Sequence, residues 1–166
     1  VTADGDYITS WGCNGSGDGE FEWPCDVAVD EVGNVYVADP NNNRIQKFTS
    51  DGVFITKFAY RARSVVVDKS GIIYAASSSI ILKLGADGSL IKYWGGYGPR
   101  EPGKFNQPVD LALDDDGYLY ICDDSDNKIH KYTTDGVFVS WWGKRGNGDG
   151  EFYRPSGVAI GEDGVV

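Results

Sequence analysis

Short runs of β-branched and aromatic residues alternate along this chain with clusters of Gly, Asn and Asp. The alternation is plainest between Gly19 and Phe58. There, Val27-Ala28-Val29-Asp30, Val35-Tyr36-Val37-Ala38-Asp39, Arg44-Ile45-Gln46-Lys47-Phe48 and Val53-Phe54-Ile55-Thr56-Lys57-Phe58 are each bounded by turn residues. β-Branched and aromatic side chains suit a pleated surface, and Gly, Asn and Asp supply the turns, so the pattern predicts four strands near 26–30, 34–38, 44–48 and 53–58. One sheet of this size does not stand alone, and its meaning depends on copies elsewhere.

The copies are there. Asp-Gly pairs at 4–5, 51–52, 87–88 and 135–136 are 47, 36 and 48 residues apart, and each precedes an apolar run: Tyr7–Trp11, Val53–Phe58, Leu90–Trp94 and Val137–Trp142. A second register, Gly33, Gly71, Gly117 and Gly164, has intervals of 38, 46 and 47. The two independent markers agree where they overlap, 36 against 38 and then 48 against 46, and indicate stacked or radial repeats rather than a single-core domain. The units run 13–58, 59–95 and 96–143, with the last strand of an earlier unit at 1–12 and a partial unit at 144–166. The unit at 59–95 is degenerate: it lacks the Gly-Glu-Phe and Pro of the lead-in loop, and Ser77-Ser78-Ser79 replaces Asp39-Pro40-Asn41-Asn42-Asn43.

The repeated residues are specific: Gly-x-Phe-x-x-Pro at 19–24, Val-Ala-Val-Asp at 27–30, Gly-x-Val-Tyr-Val-Ala-Asp at 33–39, Asn-x-Arg-Ile-Gln-x-Phe beginning at Asn42, and a closing Asp-Gly. This pattern resembles the NHL repeat across essentially the whole chain. The resemblance implies an all-β propeller of four-stranded antiparallel blades, commonly six to a ring, of which this chain holds about three complete blades and two partial ones. Radially arranged sheets of this kind bury both faces between neighbours and leave only short edges. The first and last pieces together lack a third strand, so either further blades or a neighbouring chain is expected at the open blade edges.

In a propeller the first strand of each blade lines the channel, and the loops leading into it share a face with the turns between strands two and three. Aligning the units places Cys25, Arg63, Val109 and Ser156 in one column at the channel mouth, Asp26, Ser64, Asp110 and Gly157 in the next, and Asp39, Ser77 and Asp123 at the ends of the second strands. Asp39 and Asp123 precede polar turns whose amides Asx side chains accept. Asp26 and Asp110 show no such local role, and a weak Ca²⁺ site is expected through them, since hard cations take carboxylate oxygens. Asp114-Asp115-Asp116-Gly117 lacks the ligand spacing of a calcium loop and aligns with the ordinary turn at 30–33. Trp11, Trp94 and Trp142 recur at one position, as do Phe21, Phe105 and Phe152, which argues for packing between blades. Trp23, Tyr97 and Tyr153 fall outside that pattern and, with Arg63, are the candidate ligand contacts.

Function follows as far as binding. The one histidine, His130, aligns with Gln46 and is expected at the surface; a single histidine builds no multi-His metal centre or catalytic set. Relatives of the family that are amidating lyases use histidines this chain lacks. The expectation is therefore a non-catalytic scaffold that binds a protein or peptide on its loop face. The alternative from another class is a fragment of a propeller hydrolase or lyase whose catalytic groups lie in other blades. An RNA-binding domain is disfavoured by the net charge of −10, from 25 acids and 15 bases, because nucleic-acid affinity rests on neutralising phosphates. No membrane-spanning run of about 18 apolar residues occurs. Three cysteines leave the compartment open: Cys13 and Cys25 flank one loop and pair only if their Cα atoms come within about 7 Å, and Cys122 lies in an apolar strand, where an inert thiol is expected.

Overall fold

A computed structural model describes residues 6–98, 101–161 and 166. The Asp4-Gly5 turn and Gly164 of the two sequence registers lie outside them. The described chain is all-β apart from one 3₁₀ turn, Pro40–Asn42.

Two short strands, β1 (Cys13–Asn14) and β2 (Glu20–Phe21), form a parallel pair in the first lead-in loop. The first blade follows as β3 (Asp26–Val29), β4 (Val35–Asp39), β5 (Arg44–Phe48) and β6 (Phe54–Phe58). The second comprises β7 (Ser64–Val67), β8 (Ile73–Ser77), β9 (Ile80–Leu84) and β10 (Leu90–Gly95). The third comprises β11 (Pro108–Leu113), β12 (Tyr118–Asp123), β13 (Lys128–Thr133) and β14 (Phe138–Trp142). Each blade is an antiparallel meander in chain order, and β7 lies between β3 and β11 at the inner edge.

Residues 7–11 and 157–160 belong to no ladder. A blade's fourth strand pairs with its third, and its first with its second; no described residue supplies either partner. Both segments still dock by side-chain and backbone contacts, described below.

The core lies between blades. Tyr36, Ala38 and Ile45 of the first blade meet Val65, Ile73 and Leu84 of the second, all buried; Tyr74 and Ile81 of the second meet Leu119, Ile121 and Tyr132 of the third. The hairpin turn between first and second strands is built alike each time. Asp30, Asp68 and Asp114 accept the backbone amides of Asn34, Ile72 and Tyr118 at 2.8, 3.0 and 2.7 Å, and a tyrosine hydroxyl from the second strand donates to the other carboxylate oxygen. The run Asp114–Gly117 is thus an ordinary blade turn.

The recurring aromatics fasten one blade to the next. Trp11 lies against Gly52, Phe58 against Gly88 and Trp94 against Gly136, each ring over the Asp-Gly turn of the following blade. Phe58 therefore fills in the second interface the place that tryptophan fills elsewhere. The glycine after each tryptophan receives the lead-in phenylalanine: a Cβ on Gly95 (φ +104°) or Gly143 (φ +95°) would come within 2.6 and 2.5 Å of the Phe105 and Phe152 rings. A side chain there is excluded by both space and backbone.

Candidate functional site

The channel mouth is built from Asp26 and Ser64, the first residues of β3 and β7, and Asp110, the third of β11. Asp26 sends Oδ2 across to accept the amide of Val65 at 2.8 Å. One blade on, Ser64 Oγ accepts the amide of Leu111 at 3.1 Å, and Asp110 Oδ2 accepts that of Val158 at 2.8 Å. The Ser64 hydroxyl also donates to Asp110 Oδ1 at 3.1 Å. Val65, Leu111 and Val158 occupy equivalent positions, so one latch repeats at successive interfaces. The sequence reading that Asp26 and Asp110 lack local partners does not hold: Asp26 Oδ1 also accepts the Val27 amide at 2.8 Å. Their partners lie on the next blade, where no local pattern shows them. Asp26 and Asp110 border a cavity of about 400 Å³ walled by the valines and leucines of β3, β7 and β11. Among the described residues, no three His, Cys, Asp or Glu side chains converge in a way that could hold a metal ion.

The second acidic column holds the lead-in loops in place. Asp39 and Asp123 are fully buried. Asp39 accepts the Glu22 amide at 2.9 Å and the Asn42 side chain at 2.9 Å, and forms a buried ion pair with Arg44 at 2.9 Å. Asp123 accepts the amides of Asn106, Gln107 and Asp126 at 2.7, 2.9 and 3.0 Å. The expected turn contact is thus present at Asp123, through Asp126. At Asp39 the acid instead reaches the lead-in loop and Arg44. Arg44 then donates to the carbonyls of Ser16, Gly17 and Glu20, so one buried guanidinium organises the whole loop.

His130 is fully buried, contrary to the surface position its sequence suggests. The lead-in loop folds back over β13 and places Phe105 at 5.2 Å, and the neighbouring strand β14 supplies Trp141 at 5.8 Å, both edge-on to the imidazole. Neither ring nitrogen has a hydrogen-bond partner, and burial pushes its pKa below the ordinary 6.5. Gln46, its counterpart, is buried too but accepts the Gly19 amide at 3.0 Å and donates to the Glu20 carbonyl at 2.8 Å.

The four candidate contacts are exposed but do not converge on one pocket. Trp23 is 76% exposed, with a left-handed backbone (φ 57°), and borders a cavity of about 440 Å³ with Trp11, Cys13 and Phe21. Tyr153 is 64% exposed beneath the Arg145 guanidinium, 5.3 Å from its ring, in a groove of about 220 Å³ shared with Asp124, Asn127 and Arg154. Arg63 lies in a separate groove of about 200 Å³ with Arg61, Ser78, Ser79, Asn106 and Gln107. Tyr97 is exposed beside its bridge to Phe105. Arg61, Arg145 and Arg154 join these sites; the sequence marks Arg61 and Arg145 only as members of the short basic clusters 60–63 and 144–145, and its one signal for Arg154 is its place beside Tyr153.

Cys13 and Cys25 are exposed free thiols, not a disulfide: Cys13 is held in the β1–β2 pair, while the Cys25 thiol faces the Trp23 carbonyl at 3.5 Å. Cys122 is buried, and burial pushes its thiol up to about 12.

The NHL repeat profile matches residues 21–48. Over 34% of its length the chain is 49% identical to Protein lin-41 of Caenorhabditis elegans, covering 5% of that protein. Over 84% it is 28% identical to human NHL repeat-containing protein 3, covering 47% of it, and over 81% it is 28% identical to human E3 ubiquitin-protein ligase TRIM32, covering 16% of it. The chain thus spans about half or less of the length of these relatives. Among solved structures it is similar to Kuenenia stuttgartiensis hydrazine synthase (TM-score 0.69, 12% identity, 99% of this chain and 44% of that one). It is also similar to a streptogramin B lyase (TM-score 0.65, 18% identity, 85% of this chain and 46% of that one). At such identities the likeness is one of fold.

Proposed function

The chain belongs to the NHL-repeat family and folds as β-propeller blades, and from that premise we propose that it is a non-catalytic scaffold that binds a protein or peptide on its loop face. Propellers host many functions, so the argument rests on the site and not on the fold. The observation that carries it is that exposed Trp23 and Tyr97 stand on lead-in loops fixed from beneath by buried Asp39, Arg44 and Asp123, and exposed Tyr153 on one held through Arg154 by Asn127 and Asp124. Aromatic groups on a preorganised loop give contact area at low entropic cost, which is what recognition surfaces need. Two further observations support a role without chemistry: His130 is sealed between aromatic rings, and the buried Cys122 thiol is held protonated. The charge of −10 supports a partner other than nucleic acid. At the channel mouth, Asp26 and Asp110 are where we place a weak Ca²⁺ site.

The test uses a random-peptide display library selected against the full chain. Selected peptides are expected to lose about tenfold or more in affinity on Trp23→Ala or Tyr153→Ala, the scale of an aromatic contact residue. Selection of no peptides, or peptides indifferent to both aromatic substitutions, would overturn the loop-face assignment.

A further inference from the structure

Arg61 and Arg63 differ from the other described cations of this acidic chain. Every other described lysine and arginine has an ion pair, a hydrogen bond or an aromatic ring as side-chain partner. The Arg61 and Arg63 side chains have none. They flank buried Ala62 on an extended segment, so both turn away from the core, and both line one groove.

That groove arises from the degeneracy of the second blade. Where the first blade carries Asp39 and the four residues Pro40-Asn41-Asn42-Asn43, the second has Ser77-Ser78-Ser79. The acid that neutralises Arg44 in the first blade thus has no counterpart beside Arg61 and Arg63. Asp124 feels the charge of Arg63, but its carboxylate is already held two-pronged by Arg154, Nε to Oδ1 at 2.9 Å and Nη2 to Oδ2 at 3.0 Å. On the remaining wall the Ser79 hydroxyl is spent on the Asn106 carbonyl at 3.3 Å, and Gln107 supplies the donor. Gln107 Oε1 is taken by the Ser125 hydroxyl at 3.1 Å, which leaves its amide NH₂ to donate.

We propose that this groove binds a single side-chain carboxylate, that of an Asp or Glu in an extended peptide partner. Two guanidinium groups with no internal carboxylate present the forked donors that carboxylates pair with two-pronged. A polyanion carries repeated charge into an acidic surface where Asp124 already acts on Arg63, whereas one carboxylate between neutral residues brings a single charge to the arginines. The inference rests on the protein-binding reading and names the chemistry that one of its grooves selects.

The test follows the side-chain Nε–H resonances of Arg61 and Arg63 by NMR on the full chain. The probe is the blocked tripeptide Ser-Glu-Ser, with Ser-Gln-Ser as its neutral counterpart and a uridine oligonucleotide as the phosphate arm. Saturable shifts confined to these arginines and Gln107, with at least tenfold weaker binding of Ser-Gln-Ser, are expected. The double variant Arg61→Gln, Arg63→Gln should lose about tenfold or more, the usual worth of hydrogen bonds to a charged group. Both side chains are exposed, so the core resonances of that variant should stay in place. Equal shifts from the Glu and Gln peptides, or shifts spread over other cations, would overturn the proposal. Tighter binding of the oligonucleotide at the same resonances would reassign the groove to phosphate. If display-selected peptides bind the aromatic loops while Ser-Glu-Ser leaves Arg61 and Arg63 unmoved, the carboxylate inference fails and the scaffold reading stands. If Ser-Glu-Ser binds and no peptide is selected, the groove assignment stands and the aromatic surface is lost.

Discussion

Asp26 of the first blade holds Val65 of the second, its Oδ2 accepting the Val65 amide at 2.8 Å. Asp110 repeats the bond to Val158, and Ser64 makes a shorter-armed version to Leu111 between them. Removing an acceptor leaves a part-buried amide without its partner, so Asp26→Ala should lower unfolding free energy by about 1–3 kcal/mol. Asp110→Ala should cost at least a similar amount, since it also removes the acceptor of the Ser64 hydroxyl, and the double variant should show coupling, because Ser64 adjoins Val65. Urea unfolding of the three variants measures this. Wild-type stability in both single variants would remove the latch.

The weak Ca²⁺ site placed at Asp26 and Asp110 draws on the same oxygens. A cation bound there competes with amides that already satisfy the carboxylates, which confines its affinity to the weak end of the range for oxygen-ligand sites, millimolar in order of magnitude. Calorimetric titration should give heat only at such concentrations and none in Asp26→Asn. An absence of heat with the wild-type chain would dispose of the site.

Arg44 is the most demanding residue of the first blade. It neutralises buried Asp39 and donates to three lead-in carbonyls. Breaking a buried pair by removing one partner costs about 3–5 kcal/mol, because the other charge stays behind unpaired. Arg44→Ala should therefore cost that much by denaturant unfolding, and Arg44→Met with Asp39→Asn appreciably less. Equal losses would show that the carbonyl contacts, not the charge pair, dominate.

The blades were legible in the sequence because their signals are local and repeated: apolar runs, Asp-Gly turns and the Asp30-type caps each sit within a few residues of their partners. Phe58 was legible as well, since it follows Gly52 at the spacing that Trp94 keeps from Gly88 and Trp142 from Gly136, although its side chain differs. What local pattern does not carry is the fold-back of the lead-in loop. It buries His130 beneath Phe105 and brings Glu22 to Asp39. The latches are illegible for the same reason, because Asp26 and Val65 meet across a blade boundary. The loss of the Asp39 counterpart is legible at Ser77, but Arg61 becomes a site residue only once the fold sets it and Arg63 beside Ser78 and Ser79.

Thiol chemistry separates the cysteines. Cys13 and Cys25 are exposed and unpaired, while Cys122 is buried, its thiol within 3.2 Å of the Pro155 carbonyl and pushed up to about 12. The thiolate is the reactive form. Ellman titration at pH 8 should count two reactive thiols in the native protein and a third only on unfolding. Three native equivalents would mean that the third blade opens readily.

His130 gives the protein a pH dependence that can be removed. Burial among Phe105, Trp141 and the inner strands lowers its pKa below the ordinary 6.5. Asp123 opposes that shift and Lys128 adds to it, and Asp126 also faces the ring electrostatically. Since the unfolded chain takes up a proton on this residue at higher pH than the native chain does, its contribution is fully present above about pH 6.5 and is lost as pH falls below that value. The hydrogen-bonded carboxylates with lowered values, Asp30, Asp87, Asp124, Asp135 and Glu151, titrate from ordinary values of 3.8 or 4.5 downward, so their loss comes at more acid pH and leaves the window from 6.5 to about 5 to the histidine. His130→Gln installs the residue that the first blade uses at Gln46, where the amide bonds Gly19 and Glu20. The variant should flatten stability between pH 6.5 and 5 and gain at neutral pH if its amide bonds the Gly103–Lys104 backbone as Gln46 does in its own loop. Urea midpoints at pH 5, 6 and 7.5 for both proteins decide it: parallel curves would show that the imidazole is not the group responsible.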